Sequence, residues 1–179
     1  MNKEREAIRF PLKCAFALQS EVAKIGFDWS HPLPALQKFI EEWEEFRSTG
    51  SVKKQREELG DLFFSWVNVF RLSGGKIESL ALPDPLPESS FPQLPELLYE
   101  KPRCLSLLQS VLSTLCQIAD EHNLEVEAVL MQANKKFFLR FWKMIASLRQ
   151  AGKDPYSQHL TLNEMDEVWE HFRKEDKNE

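Results

Sequence analysis

Residues 34–72 read PALQKFIEEWEEFRSTGSVKKQREELGDLFFSWVNVFRL, and their apolar positions decide the fold class. Leu36, Phe39, Ile40, Trp43 and Phe46 recur at steps of three and four, as do Leu59, Leu62, Phe63, Trp66 and Phe70. That spacing makes one face of an α-helix, whereas a half-buried strand would alternate at every second residue. Pro34 suits a first helical turn, so a helix is expected from near Pro34 to Arg47. After Ser48-Thr-Gly-Ser51 another is expected from Val52 to about Leu72, stopped by Gly74 and Gly75.

The same period extends outward on both sides. One helix is expected over Leu12 to Lys24, ended by Gly26, and others over Arg103 to His122 and Leu124 to Gln150. Asn123 separates that pair, and Gly152 with Pro155 stops the second of them. A short last helix starts at Thr161, where Thr161-Leu-Asn-Glu164 has the spacing of a capping box. Composition agrees: Val, Ile and Thr total 17 against 24 Leu, with 6 Gly, and sheets depend on β-branched residues and Gly-rich turns. The expected fold class is all-α, a helical bundle of about five or six helices in a single domain spanning 1–179.

Six of the ten prolines fall between Pro83 and Pro102, too densely for a helix, so residues 75–102 are expected to be extended and irregular. With the helix that follows, this segment reads as an insertion at about 72–114. Residues 67–82 (VNVFRLSGGKIESLAL) and 115–130 (LCQIADEHNLEVEAVL) share a rhythm of helix, polar break and Glu-x-x-Leu, a partial repeat that two unrelated amphipathic helices would also produce.

The chain carries 23 Lys+Arg and 28 Asp+Glu, a formal net charge of -5, which excludes a surface that coats nucleic acid by releasing counterions. Cys14, Cys104 and Cys116 form no C-x-x-C pair and leave one unmatched in any disulfide scheme, as in a reducing compartment. The opening Met1-Asn-Lys-Glu-Arg-Glu6 lacks the apolar run of a signal peptide, and Leu62 to Phe70 is far too short to cross a bilayer. A cytoplasmic protein that binds neither membrane nor nucleic acid is expected.

The acidic residues are not spread evenly. Seven lie between Glu41 and Asp61, against four Lys or Arg in the same window. At 100° per residue, Glu42 sits on a shoulder of the first apolar stripe with Glu45 just beyond it, and Glu58 and Asp61 occupy the equivalent shoulder of the second. If a short loop makes the helices antiparallel with facing stripes, the pairs Glu42/Glu45 and Glu58/Asp61 converge, level to about one helical turn. Four carboxylates at the edge of a core repel one another and lose solvation, so a cation should hold them. Hard oxygen donors without Cys or His favour Mg²⁺, with Mn²⁺ as a substitute, over zinc. The plain alternative is a solvated acidic face with helix salt bridges such as Lys54 with Glu58. A carboxylate-bridged di-iron bundle would need Glu-x-x-His on two helices, and the sequence contains no such pair.

At these residues the chain resembles the MazG family of all-α nucleoside triphosphate pyrophosphohydrolases. The family pattern of Glu-x-x-Glu, a variable gap and Glu-x-x-Asp reads here as Glu42-Trp-Glu-Glu45, twelve intervening residues, and Glu58-Leu-Gly-Asp61. LQSEVAKIGFDW (18–29), EELGDLFFSWVN (57–68), ANKKFFLRF (133–141) and the tail LTLNEMDEVWEHFRK (160–174) are similar in the same order, covering most of the chain outside 72–114. The resemblance implies Mg²⁺-dependent cleavage of a nucleoside triphosphate between its α- and β-phosphates. By motif position Glu42, Glu45, Glu58 and Asp61 would bind metal, and Glu41, with Glu57 as the alternative, would orient or deprotonate the attacking water.

A polyanionic substrate also requires cations beside the acidic cluster. Lys38 lies one turn before Glu41 and Glu42, and Lys54 one turn before Glu58, although a lone lysine usually lies on a solvated face. The resemblance turns Asn134, Lys136 and Arg140 toward the triphosphate, sets Lys24 before a Gly-Phe-Asp-Trp turn near phosphate, and suggests that Trp29 and Trp169 stack on base or sugar. Core packing is an equal reading of Trp29, while Trp43, Trp66 and Trp142 read as core or interface. Arg140, flanked by Phe137 and Phe141, is a core-edge arginine and should have a partner. The run Phe137-Phe138-Phe141-Trp142 is wide for one helix of a small monomer, so the bundle is expected to be completed by dimerisation, as in the commonly dimeric family, or by a higher homo-oligomer. Typical family members have a short connection where this chain has 72–114. An enzyme narrowed to dUTP or a modified nucleotide, or a non-catalytic helical module that binds a partner through its proline segment, are the alternative functions.

Overall fold

The computed structural model describes residues 2–96 and 105–178, with side chains described over 7–96 and 105–176. Its elements are α1 (Asn2–Lys24), α2 (Pro32–Ser48), α3 (Val52–Leu72), two short 3₁₀ turns (Ile77–Ser79 and Glu88–Gln93), α4 (Leu105–Glu121), α5 (Val126–Gln150) and α6 (Leu162–Asn178). No strand occurs among the described residues. The chain is all-α, as its periodicity requires.

It divides into two compact units, residues 1–16 with 29–133 and residues 17–28 with 134–179. The first is built around the α2–α3 hairpin, whose stripes bury Leu36, Phe39, Trp43 and Phe46 against Leu59, Leu62, Phe63, Trp66 and Phe70. The α3–α4 packing adds Leu108, Val111, Leu112, Leu115 and Ile118 to this core, and the Trp66 indole N–H donates to the Leu108 carbonyl at 2.8 Å. The second unit encloses a smaller core of Val22, Ile25, Phe141, Met144, Ile145, Leu148, Leu160 and Met165.

Local signals set most boundaries. Ser51 caps α3, its hydroxyl oxygen accepting the Lys54 N–H at 3.2 Å. The capping box at α6 is closed reciprocally: Glu164 accepts the Thr161 N–H at 2.9 Å, and the Thr161 hydroxyl accepts the Glu164 N–H at 3.3 Å. The two stretches that share a rhythm share a stop. Gly74 (φ 83°) and Asn123 (φ 53°) are both left-handed, and the next residue's N–H closes back onto Phe70 and Ala119 respectively. Beyond that they diverge, one into a 3₁₀ turn and the other into the long α5.

Three expectations need correction. The first helix starts at Asn2 rather than Leu12 and runs through Pro11, because Ile8, Leu12 and Ala15 continue one buried stripe across it. α5 begins at Val126 rather than Leu124, since the Leu124 N–H is used to close α4. The proline segment is irregular over 80–87, as expected, but it also forms the two 3₁₀ turns and anchors in the core, while residues 97–102 lie outside the described residues. Phe91 and Leu94 are fully buried in the first core, and the Thr114 hydroxyl of α4 holds Leu86, accepting its N–H and lying 2.8 Å from its carbonyl. The expected start at Arg103 lies outside the described residues. No helix among those described is long and apolar enough to cross a membrane.

Candidate functional site

The hairpin determines which acidic residues meet. With α2 ending at Ser48 and α3 starting at Val52, the turn centres on Gly50. Glu42 then stands level with Glu58, each eight residues from Gly50, and Glu45 with Gln55, each five away. One oxygen each of Glu42, Glu58 and Asp61 lie within 4.8 Å of one another. A divalent cation with oxygen bonds of about 2.0–2.6 Å fits within that span. Glu45 is exposed and outside this trio, a difference from the expected foursome that follows from its level one turn nearer the loop. Its charge still raises Glu42 and Lys38.

A close backbone approach supports the same stretch of α3. A Cβ on Gly60, between Glu58 and Asp61, would fall 2.3 Å from the Val129 carbonyl oxygen and 3.3 Å from the Ala133 Cβ. Glycine weakens a helix interior, and here it is the residue that lets α5 lie directly on α3.

The site concentrates negative charge, and Lys38 stands directly on the most buried of its acids. Glu42 is only 7 % exposed, and Glu58 and Asp61 are half-buried. Burial pushes the Glu42 carboxyl above its ordinary value, helped by Asp61 and Glu45 and opposed by Lys38. Lys38 Nζ lies 2.7 Å from Glu42 Oε1 and 3.4 Å from Glu41 Oε2. Burial would lower the Lys38 ammonium, yet its hydrogen bond to Glu42 and the charges of Glu42, Glu41 and Glu45 hold it above the ordinary lysine value. Glu41 is exposed, Glu57 half-buried, and Lys54 exposed near the start of α3. Trp29 is partly buried against the first core; Trp43 and Trp66 are core residues of that unit.

The remaining sequence candidates belong to the second unit. Arg140 has the partner expected of it: its Nε donates to Asp176 Oδ2 at 2.9 Å, and its guanidinium lies 5.1 Å over the Trp169 ring. Trp169 also meets Phe137 and Phe27, at centroid distances of 4.8 and 5.2 Å. Burial would raise the Asp176 carboxyl, but hydrogen bonds from Arg140 and Lys143 hold it below the usual range. Sequence reasoning missed Asp176, since an acid in a charged tail carries no sign of a buried arginine partner. Asn134 is buried, Lys136 half-buried, and Lys24 is exposed and paired with Glu21. Lys24 borders an open cavity of about 490 Å³, with Gly26, Tyr156, Ser157 and His159. Trp142, Phe138 and Leu139 are exposed on α5. Cys116 offers no nucleophile, its thiol pushed up to about 12 by burial and by Asp120.

No protein-family model matches the chain, and no solved structure matches it. It is 24 % identical over 159 residues to the nucleoside triphosphate pyrophosphohydrolase/pyrophosphatase MazG of Thermotoga maritima. The alignment covers 89 % of this chain and 42 % of that protein, so the chain spans less than half of the relative's length. This is a distant similarity to part of a longer protein.

Proposed function

We propose that the chain is a nucleoside triphosphate pyrophosphohydrolase that cleaves ribo- or deoxyribonucleoside triphosphates to the monophosphate and pyrophosphate. The observation that carries the reading is the trio Glu42, Glu58 and Asp61, gathered from two facing helices, and the distant similarity to a protein named for this activity supports it. The donors fit Mg²⁺ or Mn²⁺, since all are carboxylate oxygens gathered within the span of one ion. Glu42, Glu58 and Asp61 would hold the ion, with Glu45 as a fourth carboxylate. The bound ion would acidify water and neutralise phosphate charge.

The chain's own residues then have distinct tasks. Glu41, next to Glu42, one turn before Glu45 and exposed, takes the proton of a water attacking the α-phosphorus, and Glu57 is the alternative base. The new P–O bond forms as the bond from the α-phosphorus to the bridging oxygen breaks, and pyrophosphate leaves with that oxygen. Lys38 and Lys54 offset charge beside the carboxylates. By the resemblance alone, Asn134, Lys136, Arg140 and Lys24 are assigned to phosphate, and Trp29 and Trp169 to base or sugar. Phosphoryl transfer depends mostly on such positioning and charge stabilisation.

Two further parts of the proposal rest on separate observations. Phe138, Leu139 and Trp142 lie exposed together on α5, which supports pairing with a second copy, and light scattering that finds only monomer defeats that pairing. Cys14 and Cys116 are free thiols, in keeping with the cytoplasm. The catalytic reading is tested by assaying pyrophosphate release with Mg²⁺ across canonical and modified nucleotides, for the unmodified chain, Glu42→Gln and Asp61→Asn. Release abolished in both variants supports it, and release unaffected by them removes the trio from catalysis.

A further inference from the structure

We infer that Phe91, delivered by the proline-rich insertion, is a positioning residue for the carboxylate trio. The inference rests on the metal-site reading proposed above and concerns what holds that site in shape. Glu42 shares α2 with Phe39, three residues before it, and Trp43, next to it. Both rings turn into the core and both meet the same ring of the insertion. The Phe91 centroid lies 5.0 Å from Trp43, edge-on, and 5.6 Å from Phe39. Phe91 is fully buried, so it fills the space behind the α2 face next to Glu42 and fixes the rotation of that helix.

The insertion reaches the other arm of the hairpin as well. Trp66 of α3, five residues beyond Asp61, donates its indole N–H to the Leu108 carbonyl of α4 at 2.8 Å and stacks on Phe70 at 4.9 Å. The segment carrying Phe91 is tied to the same α4 through Thr114 and Leu86. α2 and α3 are therefore both referenced to one inserted piece, Phe91 behind Glu42 and Leu108 behind Trp66. A site of this kind functions only while its groups stay within about 0.5 Å and 10–20° of the working geometry. A roll of α2 into the space left by a smaller residue at 91 would carry Glu42 away from Glu58 and Asp61.

The test measures Mn²⁺ binding by the full chain, by electron paramagnetic resonance of free Mn²⁺, alongside thermal melting. Phe91→Ala is expected to weaken Mn²⁺ binding by about tenfold or more, the usual effect of losing support behind a metal ligand, and Phe91→Leu to recover most of it. Met165→Ala, a core truncation in the second unit, is expected to lower the melting temperature and leave Mn²⁺ affinity unchanged, which separates positioning from general destabilisation. Thr114→Val, which keeps its shape but loses the hold on Leu86, is expected to weaken Mn²⁺ binding in the same direction and serves if Phe91→Ala does not fold. Phe91→Ala, or Thr114→Val in its place, binding Mn²⁺ as tightly as the unmodified chain would overturn the inference while leaving the metal site standing. No Mn²⁺ binding by the unmodified chain would overturn both.

Discussion

Lys38 Nζ sits 2.7 Å from Glu42 Oε1, one turn along α2, and is the nearest positive charge to a carboxylate that is almost fully buried. The pair offsets the charge of the most buried of the three acids. Truncating Lys38 to Met keeps the aliphatic stem and leaves the Glu42 charge without its partner. Because Lys38 is itself partly solvated, we expect a loss of about 1–2 kcal/mol rather than the larger cost of breaking a fully buried pair. Mn²⁺ should raise the melting temperature of Lys38→Met by more than that of the unmodified chain, because the ion then supplies the missing charge. Identical melting of the two proteins without metal would show that the pair carries no stability.

Gly60 makes a prediction of opposite sign to helix propensity. Alanine in a helix interior is favoured over glycine by about 1 kcal/mol, yet its Cβ would fall 2.3 Å from the Val129 carbonyl oxygen. Overpacking against backbone forces the helices apart, so Gly60→Ala should destabilise by about 1–3 kcal/mol and weaken Mn²⁺ binding, because Glu58 and Asp61 flank the site of the clash. Urea denaturation checks the first part, and a stabilised Gly60→Ala would contradict the close approach.

Acid sensitivity should reside partly in the capping box of α6. The Glu164 carboxyl is held at about 2, against an ordinary 4.5, by the Thr161 N–H, Lys153 and the Thr161 hydroxyl. A depressed folded pKa means that the unfolded chain binds the proton more readily, so stability rises with pH across the window. The contribution is complete above about 4.5 and disappears as pH falls toward about 2. Asp176, also held below its ordinary value, acts in the same sense below its ordinary 3.8. Glu164→Gln should flatten the acid limb of a plot of denaturation midpoint against pH, and an unchanged limb would place the acid sensitivity elsewhere.

What could be read from the sequence was whatever depends on local periodicity. The stripe from Leu36 to Phe46 and its counterpart from Leu59 to Phe70 are amphipathic helices, and facing shoulders bring Glu42, Glu58 and Asp61 together. Angular position alone treats Glu45 as equivalent to Asp61. Only the centre of the turn, at Gly50, separates them by level along the helices. Phe91 and Asp176 were not legible for a different reason. Six prolines leave no period from which to infer burial, and the partner of Arg140 lies 36 residues away on another helix. Such contacts arise from tertiary packing, which local pattern does not encode.

The most direct measurement is the identity of the products formed from a nucleoside triphosphate with Mg²⁺, resolved by chromatography alongside separate assays for pyrophosphate and orthophosphate. The account predicts equal amounts of nucleoside monophosphate and pyrophosphate, with none formed by Glu42→Gln or Asp61→Asn. Nucleoside diphosphate with orthophosphate, or no turnover of any canonical or modified nucleotide, would contradict it.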